Sequence, residues 1–135
     1  MKEELITPEQ RGEHCGLLNR ITLKPNCEIG HHEHHGETLT DPSYCGQIVM
    51  QTFPLIGNYG MICSDRESKK PYLSGYIVRE YCEQPSNFRC EEKIDDYLRK
   101  NNIVGVYGID TRELTRTVRE AGVMNAVISS RPVQD

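Results

Sequence analysis

The sequence predicts an α/β domain of layered architecture, and three observations carry that prediction. Short apolar runs rich in β-branched residues recur through residues 39–128. Two segments between those runs place their apolar residues at helical spacing. Strings rich in Gly, Pro and Asn separate the segments and keep each one short.

Residues 18–23 read as a first strand after a polar lead, with a turn at Lys24-Pro25-Asn26. Residues 46–53 (GQIVMQTF) are apolar and β-branched enough for a buried strand. Pro54-Leu55-Ile56-Gly57-Asn58-Tyr59-Gly60 is a turn-rich loop, and the charged stretch 63–71 is a surface excursion. Residues 73–80 return as a strand. A helix is expected near 90–100, where Ile94, Tyr97 and Leu98 share a face, and Asn101-Asn102 ends it. Residues 103–106 form a short strand. Asp110-Thr111-Arg112-Glu113 opens a helix as a capping box does, with Asp in place of Ser or Thr. Leu114, Val118 and Ala121 line one face of it, and Gly122 stops it. Residues 123–128 are the last strand.

Composition excludes several function classes. With 36% hydrophobic residues, 7% aromatics and no Trp, 135 residues support one modest core. A net charge of −4 argues against a nucleic-acid partner, which calls for a basic face. No apolar run reaches the roughly 20 residues that cross a bilayer, so no membrane partner is expected. The polar, acidic opening is not a signal peptide, and a cytoplasmic location is expected. The six cysteines, at 15, 27, 45, 63, 82 and 90, form no CxxC pair and are expected to be reduced thiols.

All five histidines lie in the first 35 residues. Residues 1–38 carry 4 basic and 7 acidic side chains against 12 and 13 in the rest, so a division into 1–38 and 39–135 is expected. In an extended chain His32 and His34 point to one side and could share a metal ion. The strand, the Pro turn and this H-x-H resemble the first motif of the single-domain cupins. That family's glutamate ligand falls at Leu39 here, and the rest of its barrel is absent. No cofactor is expected, and the histidines support at most weak, adventitious capture of a divalent transition metal. The plainer alternative is a solvated polar segment, of a composition compatible with disorder, that holds nothing.

Four spaced blocks carry a second resemblance. They are Leu39-Thr40-Asp41-Pro42-Ser43-Tyr44 with Gly46-Gln47-Ile48-Val49, then Pro54 to Gly60, then Pro85-Ser86-Asn87-Phe88-Arg89, then Gly108-Ile109-Asp110-Thr111-Arg112. In this order they resemble the N-terminal domain of the glutamine-hydrolysing carbamoyl-phosphate synthase small subunit. The resemblance implies a three-layer β/β/α swivelling domain, here lacking its first strands, with the cupin-like segment in their place. It implies a fragment of a ligase subunit, whose separate glutamine amidotransferase domain passes ammonia to a large subunit. That large subunit makes carbamoyl phosphate for arginine and pyrimidine biosynthesis.

The family's Cys-His-Glu triad is expected beyond residue 135, so the chain alone is expected to be inactive and to carry no catalytic residue. The resemblance assigns Ser43 to glutamine, contacted only when the amidotransferase domain is present. A Ser hydroxyl can donate to the carboxylate or accept from the amino group. The alternative is that Ser43 merely closes a turn. Arg112, Arg116 and Arg119 follow at helical spacing and either meet the large subunit or form a solvated basic stripe. Pro85 to Arg89 leaves the same two readings open. Other functions in play are a small cupin-derived metal-binding protein and a non-functional fusion product.

Overall fold

The computed structural model describes residues 21–26, 35–122 and 124–128. Its strands are β1 (Ile21–Asn26), β2 (Gln47–Gln51), β3 (Leu55–Ile56), β4 (Gly75–Ile77), β5 (Glu80–Tyr81), β6 (Val104–Val106) and β7 (Met124–Ala126). Its α-helices are α1 (His35–Thr40), α2 (Ile94–Lys100) and α3 (Thr111–Ala121). Two 3-10 turns, Pro42–Tyr44 and Cys63–Asp65, complete the described elements. The α/β class is as expected.

Five strands form one sheet in the order β6-β4-β2-β1-β7, and β3 pairs with β5 in a small second sheet. β1, β2, β4 and β6 run parallel, while β7 is antiparallel to β1. Parallel strands inside a sheet are covered on both faces, so their apolar residues run consecutively. β2 shows this: Ile48, Val49 and Met50 are all at most 1% exposed. Because side chains alternate, Ile48 and Met50 pack with Ile77, Val106 and Val118 of α3. Val49 faces the other way, with Tyr76, Val78, Leu39 of α1, Ile56 of β3, and Ile94, Tyr97 and Leu98 of α2.

Several boundaries differ from the sequence expectation, each for a local reason. Lys24-Pro25-Asn26 continues β1 instead of turning. β7 pairs only with Ile21, Thr22 and Leu23, so Pro25 sits where β1 has one bonded neighbour, the position at which a sheet tolerates a missing N–H. The single strand expected over 73–80 is two, because Glu80 and Tyr81 leave the main sheet to pair with β3. α2 starts only at Ile94, since Met61 pairs with Glu92 and accepts from Glu91 N (3.0 Å). α1 was not anticipated. It spans the 38/39 position and buries Leu39 and Thr40 completely. Gly36 lets it dock: a Cβ there would stand 2.9 Å from the Asp65 carbonyl oxygen. In α3 the buried residues are Thr111, Thr115 and Val118, with Ala121 exposed. Thr115 hides its hydroxyl by donating to the Thr111 carbonyl at 2.6 Å.

Candidate functional site

Ser43 stands on the turn that feeds β2 from its amino end. Asp41 caps that turn: its Oδ1 accepts from the Ser43 N–H at 2.8 Å. Pro42 occupies the first helical position, where no N–H is needed. The chain closes with Cys45 N donating to Pro42 O (3.1 Å), and Gln47 Nε2 donates to Ser43 O (3.0 Å). The bonds that shape the turn therefore use backbone groups, the Asp41 carboxylate and the Gln47 amide. The Ser43 side chain is exposed and is not among the groups that hold the turn.

Pro85 to Arg89 is pinned onto the β3 loop. Ser86 Oγ donates to Asn58 Oδ1 (2.8 Å), Ser86 N to Asn58 O (3.0 Å), and Asn87 Nδ2 to Tyr59 O (3.3 Å). Arg89 reaches Ser64 Oγ (3.1 Å) and Asp65 Oδ1 (3.4 Å). The loop so braced holds Phe88 96% exposed. Such exposure adds nothing to the core.

Arg112, Arg116 and Arg119 are exposed on one stripe of α3, apart from its buried residues. Asp110 accepts from Arg112 N and Glu113 N, both at 3.1 Å, and these bonds cap the helix. His32 and His34 lie outside the described residues. No group of three or more His, Cys, Asp or Glu is placed to hold a metal among the described residues.

The described cysteines, Cys45, Cys63, Cys82 and Cys90, are free thiols. Cys63 is exposed, but its hydrogen bond with Glu91 raises its pKa above the ordinary value, with a smaller push from desolvation. A thiol so placed is a poorer nucleophile at neutral pH.

One feature escaped the sequence reading. A cleft of about 320 Å³ opens between the small sheet, α2 and β6. Its polar lining is Glu83, Lys93, Asp95 and Asp96, and Tyr81 and Tyr107 stand at 6.4 Å between ring centroids. Periodicity could not reveal it, because its walls come from five separate short segments.

The family model for the carbamoyl-phosphate synthase small chain, CPSase domain, matches residues 30–128. This chain belongs to the carbamoyl-phosphate synthase small-chain family. It is 57% identical over 94 residues to the carbamoyl phosphate synthase small chain of Syntrophotalea carbinolica, covering 70% of this chain and 25% of that one. The small chain of Bacillus caldolyticus is 44% identical over 131 residues, or 95% of this chain and 36% of the relative. The pyrimidine-specific small chain of Bacillus subtilis is 53% identical over 94 residues, or 70% and 26%. The chain thus spans about a quarter to a third of the length of these small chains. Ser43, Phe88 and the arginine stripe all fall inside the family match. No helix among the described residues is long and apolar enough to cross a membrane.

Proposed function

We propose that this chain is the N-terminal domain of a carbamoyl-phosphate synthase small subunit, with Ser43 presented to glutamine held by an amidotransferase domain. That domain would supply ammonia to a large subunit for carbamoyl phosphate synthesis. The single observation behind the Ser43 role is the division of labour in its turn. Asp41 closes the turn, so the Ser43 hydroxyl is left exposed for another group. A Ser that merely closed the turn would spend its hydroxyl there. The three-layer β/β/α swivelling arrangement is part of the reading. In its support, the five-stranded sheet carries α3 on one face and the small sheet on the other. The exposed Phe88 and the stripe of Arg112, Arg116 and Arg119 are proposed to face the large subunit. Large aromatics and arginines are enriched in interface anchors.

Glutamine hydrolysis is not assigned to the residues in hand. It needs an activated thiolate, a positioned base and an oxyanion hole. All five histidines fall at or before residue 35, and the Cys63 thiol is held protonated. The test joins this chain to a small-chain amidotransferase domain and measures glutaminase activity beside the 135-residue chain alone. Turnover is expected only in the joined protein. There Ser43→Ala should raise KM for glutamine about tenfold with kcat little changed, the loss of one hydrogen bond to a charged group. An unchanged KM would return Ser43 to a turn residue. Turnover by the chain alone would overturn the reading.

A further inference from the structure

We propose that the cleft between the small sheet, α2 and β6 is a second binding site, for an ammonium or guanidinium group on an apolar stem. The proposal does not depend on the role given to Ser43, which lies elsewhere. Ser43 precedes the first residue of β2, whereas the cleft is lined by Val78, just past β4, and by Val106 and Tyr107 at the end of β6. β2, β4 and β6 are parallel, so the two places are at opposite ends of the sheet. The carboxyl ends of parallel strands are where open α/β sheets receive ligands.

The lining selects the chemistry. Ile56, Ile94 and Leu98 are buried apolar residues that line the cleft, which suits a short alkyl stem. The volume is at the small end of ligand sites and fits a few carbons with a head group. Glu83, Asp95 and Asp96 give the lining three carboxylates against the one ammonium of Lys93. Asp95 is already bonded to Arg99 at 2.8 Å, which leaves Glu83 and Asp96 as the carboxylates for a ligand cation.

The aromatic lining agrees. Tyr81 and Tyr107 line the cleft, and Tyr107 is 38% exposed despite its size. Partial burial raises the Tyr81 pKa, against a smaller lowering by the Asp95 backbone N–H, so the ring stays a neutral phenol. A neutral phenol ring attracts a cation to its face. Tyr76, 2% exposed, also lines the cleft.

The experiment adds butylammonium or butylguanidinium chloride to the isotopically labelled full chain and follows backbone amide resonances. Gly105 and Tyr107 should shift saturably, with a Kd of about 1–10 mM. Butylurea, the uncharged analogue of butylguanidinium, should bind about tenfold more weakly or not at all. Glu83→Gln with Asp96→Asn should weaken both cations about tenfold, and their unchanged resonances elsewhere would show the fold intact. Tyr81→Leu supplies an independent variant that tests the ring. A blocked tripeptide with a central Arg tells the sources apart. Tighter binding than butylguanidinium means a side chain of a polypeptide partner, and weaker binding means a free small cation. Absence of a saturable shift with both cations would overturn the proposal. So would equal binding of butylurea, or unchanged affinity in the doubly substituted chain.

Discussion

The two faces of the five-stranded sheet are covered in different ways. One face carries α3, an 11-residue helix capped by Asp110 and stopped at Gly122, with φ +83 there. The other is assembled from α1, α2, the small sheet and their loops. It buries more side chains and holds the open cleft, while unsatisfied hydroxyls occur on both sides, Tyr76 and Tyr97 on this one and Thr111 in α3. A single helix presents one regular stripe, and a sheet can close against it without gaps. Short segments meeting from several directions pack less evenly, and the unevenness leaves concave places where a ligand can sit.

The sheet between the faces should show the largest effect. β1 separates β2 from β7, with five residues in register on one side and three on the other. Removing residues 1–34 exposes the β2 edge and strands β7, which weakens both faces together. The expected outcome is loss of a cooperative thermal transition and self-association in size-exclusion chromatography. A sharp transition in a verified monomer, unchanged by the deletion, would mean that each face is stable without β1.

Single core residues come next and test the faces against each other. Leu39 and Val118 are both 0% exposed, one on each face. Leu39→Ala should cost about 3 kcal/mol in urea unfolding. Val118→Ala should cost about 2 kcal/mol. A larger loss at Val118 would reverse the ranking and make the α3 face the tighter packed.

What could be read from the sequence follows the same division. On the α3 face the two helix ends and Val118 were legible, since Asp110 and Gly122 act through neighbours within a few positions, whereas Ala121 is exposed and Thr111 and Thr115 are buried in its stead. β2 was legible too, since Ile48-Val49-Met50 is a run that only a doubly covered strand explains. The other face was legible in its motifs but not in its geometry. Pro85 to Arg89 was recognisable as a block, yet only its bonds to Asn58 and Tyr59 show why Phe88 is held out. Leu39 stands out in the sequence as part of a motif, while its helix depends on Gly36 fitting against Asp65. The cleft had no signal at all. At β1 the Pro25 turn signal lost to register, which is set by β2 and β7 rather than by local sequence.

The smallest expected effect isolates the cap on which the simpler face begins. The Asp110 carboxylate accepts from the Glu113 and Arg112 N–H groups, and the first of these is the chief cause that lowers its pKa below 3.8. A folded-state pKa below the unfolded one means stability that is fully present above the unfolded value. It is lost as the pH falls through the lowered folded value. The contribution should therefore hold at pH 7, begin to fade as the pH approaches the ordinary Asp value, and vanish in strong acid. Asp110→Asn separates the cap from the charge, because Asn accepts the same bonds but does not titrate there. Its melting temperature at pH 7 should lie slightly below that of the unaltered chain, and the gap should close toward about pH 2. Asp110→Ala loses the cap and should melt lower at every pH. A gap between the Asn form and the unaltered chain that stays constant with pH would show that the carboxylate's charge contributes nothing. The cap would then work by hydrogen bonding alone.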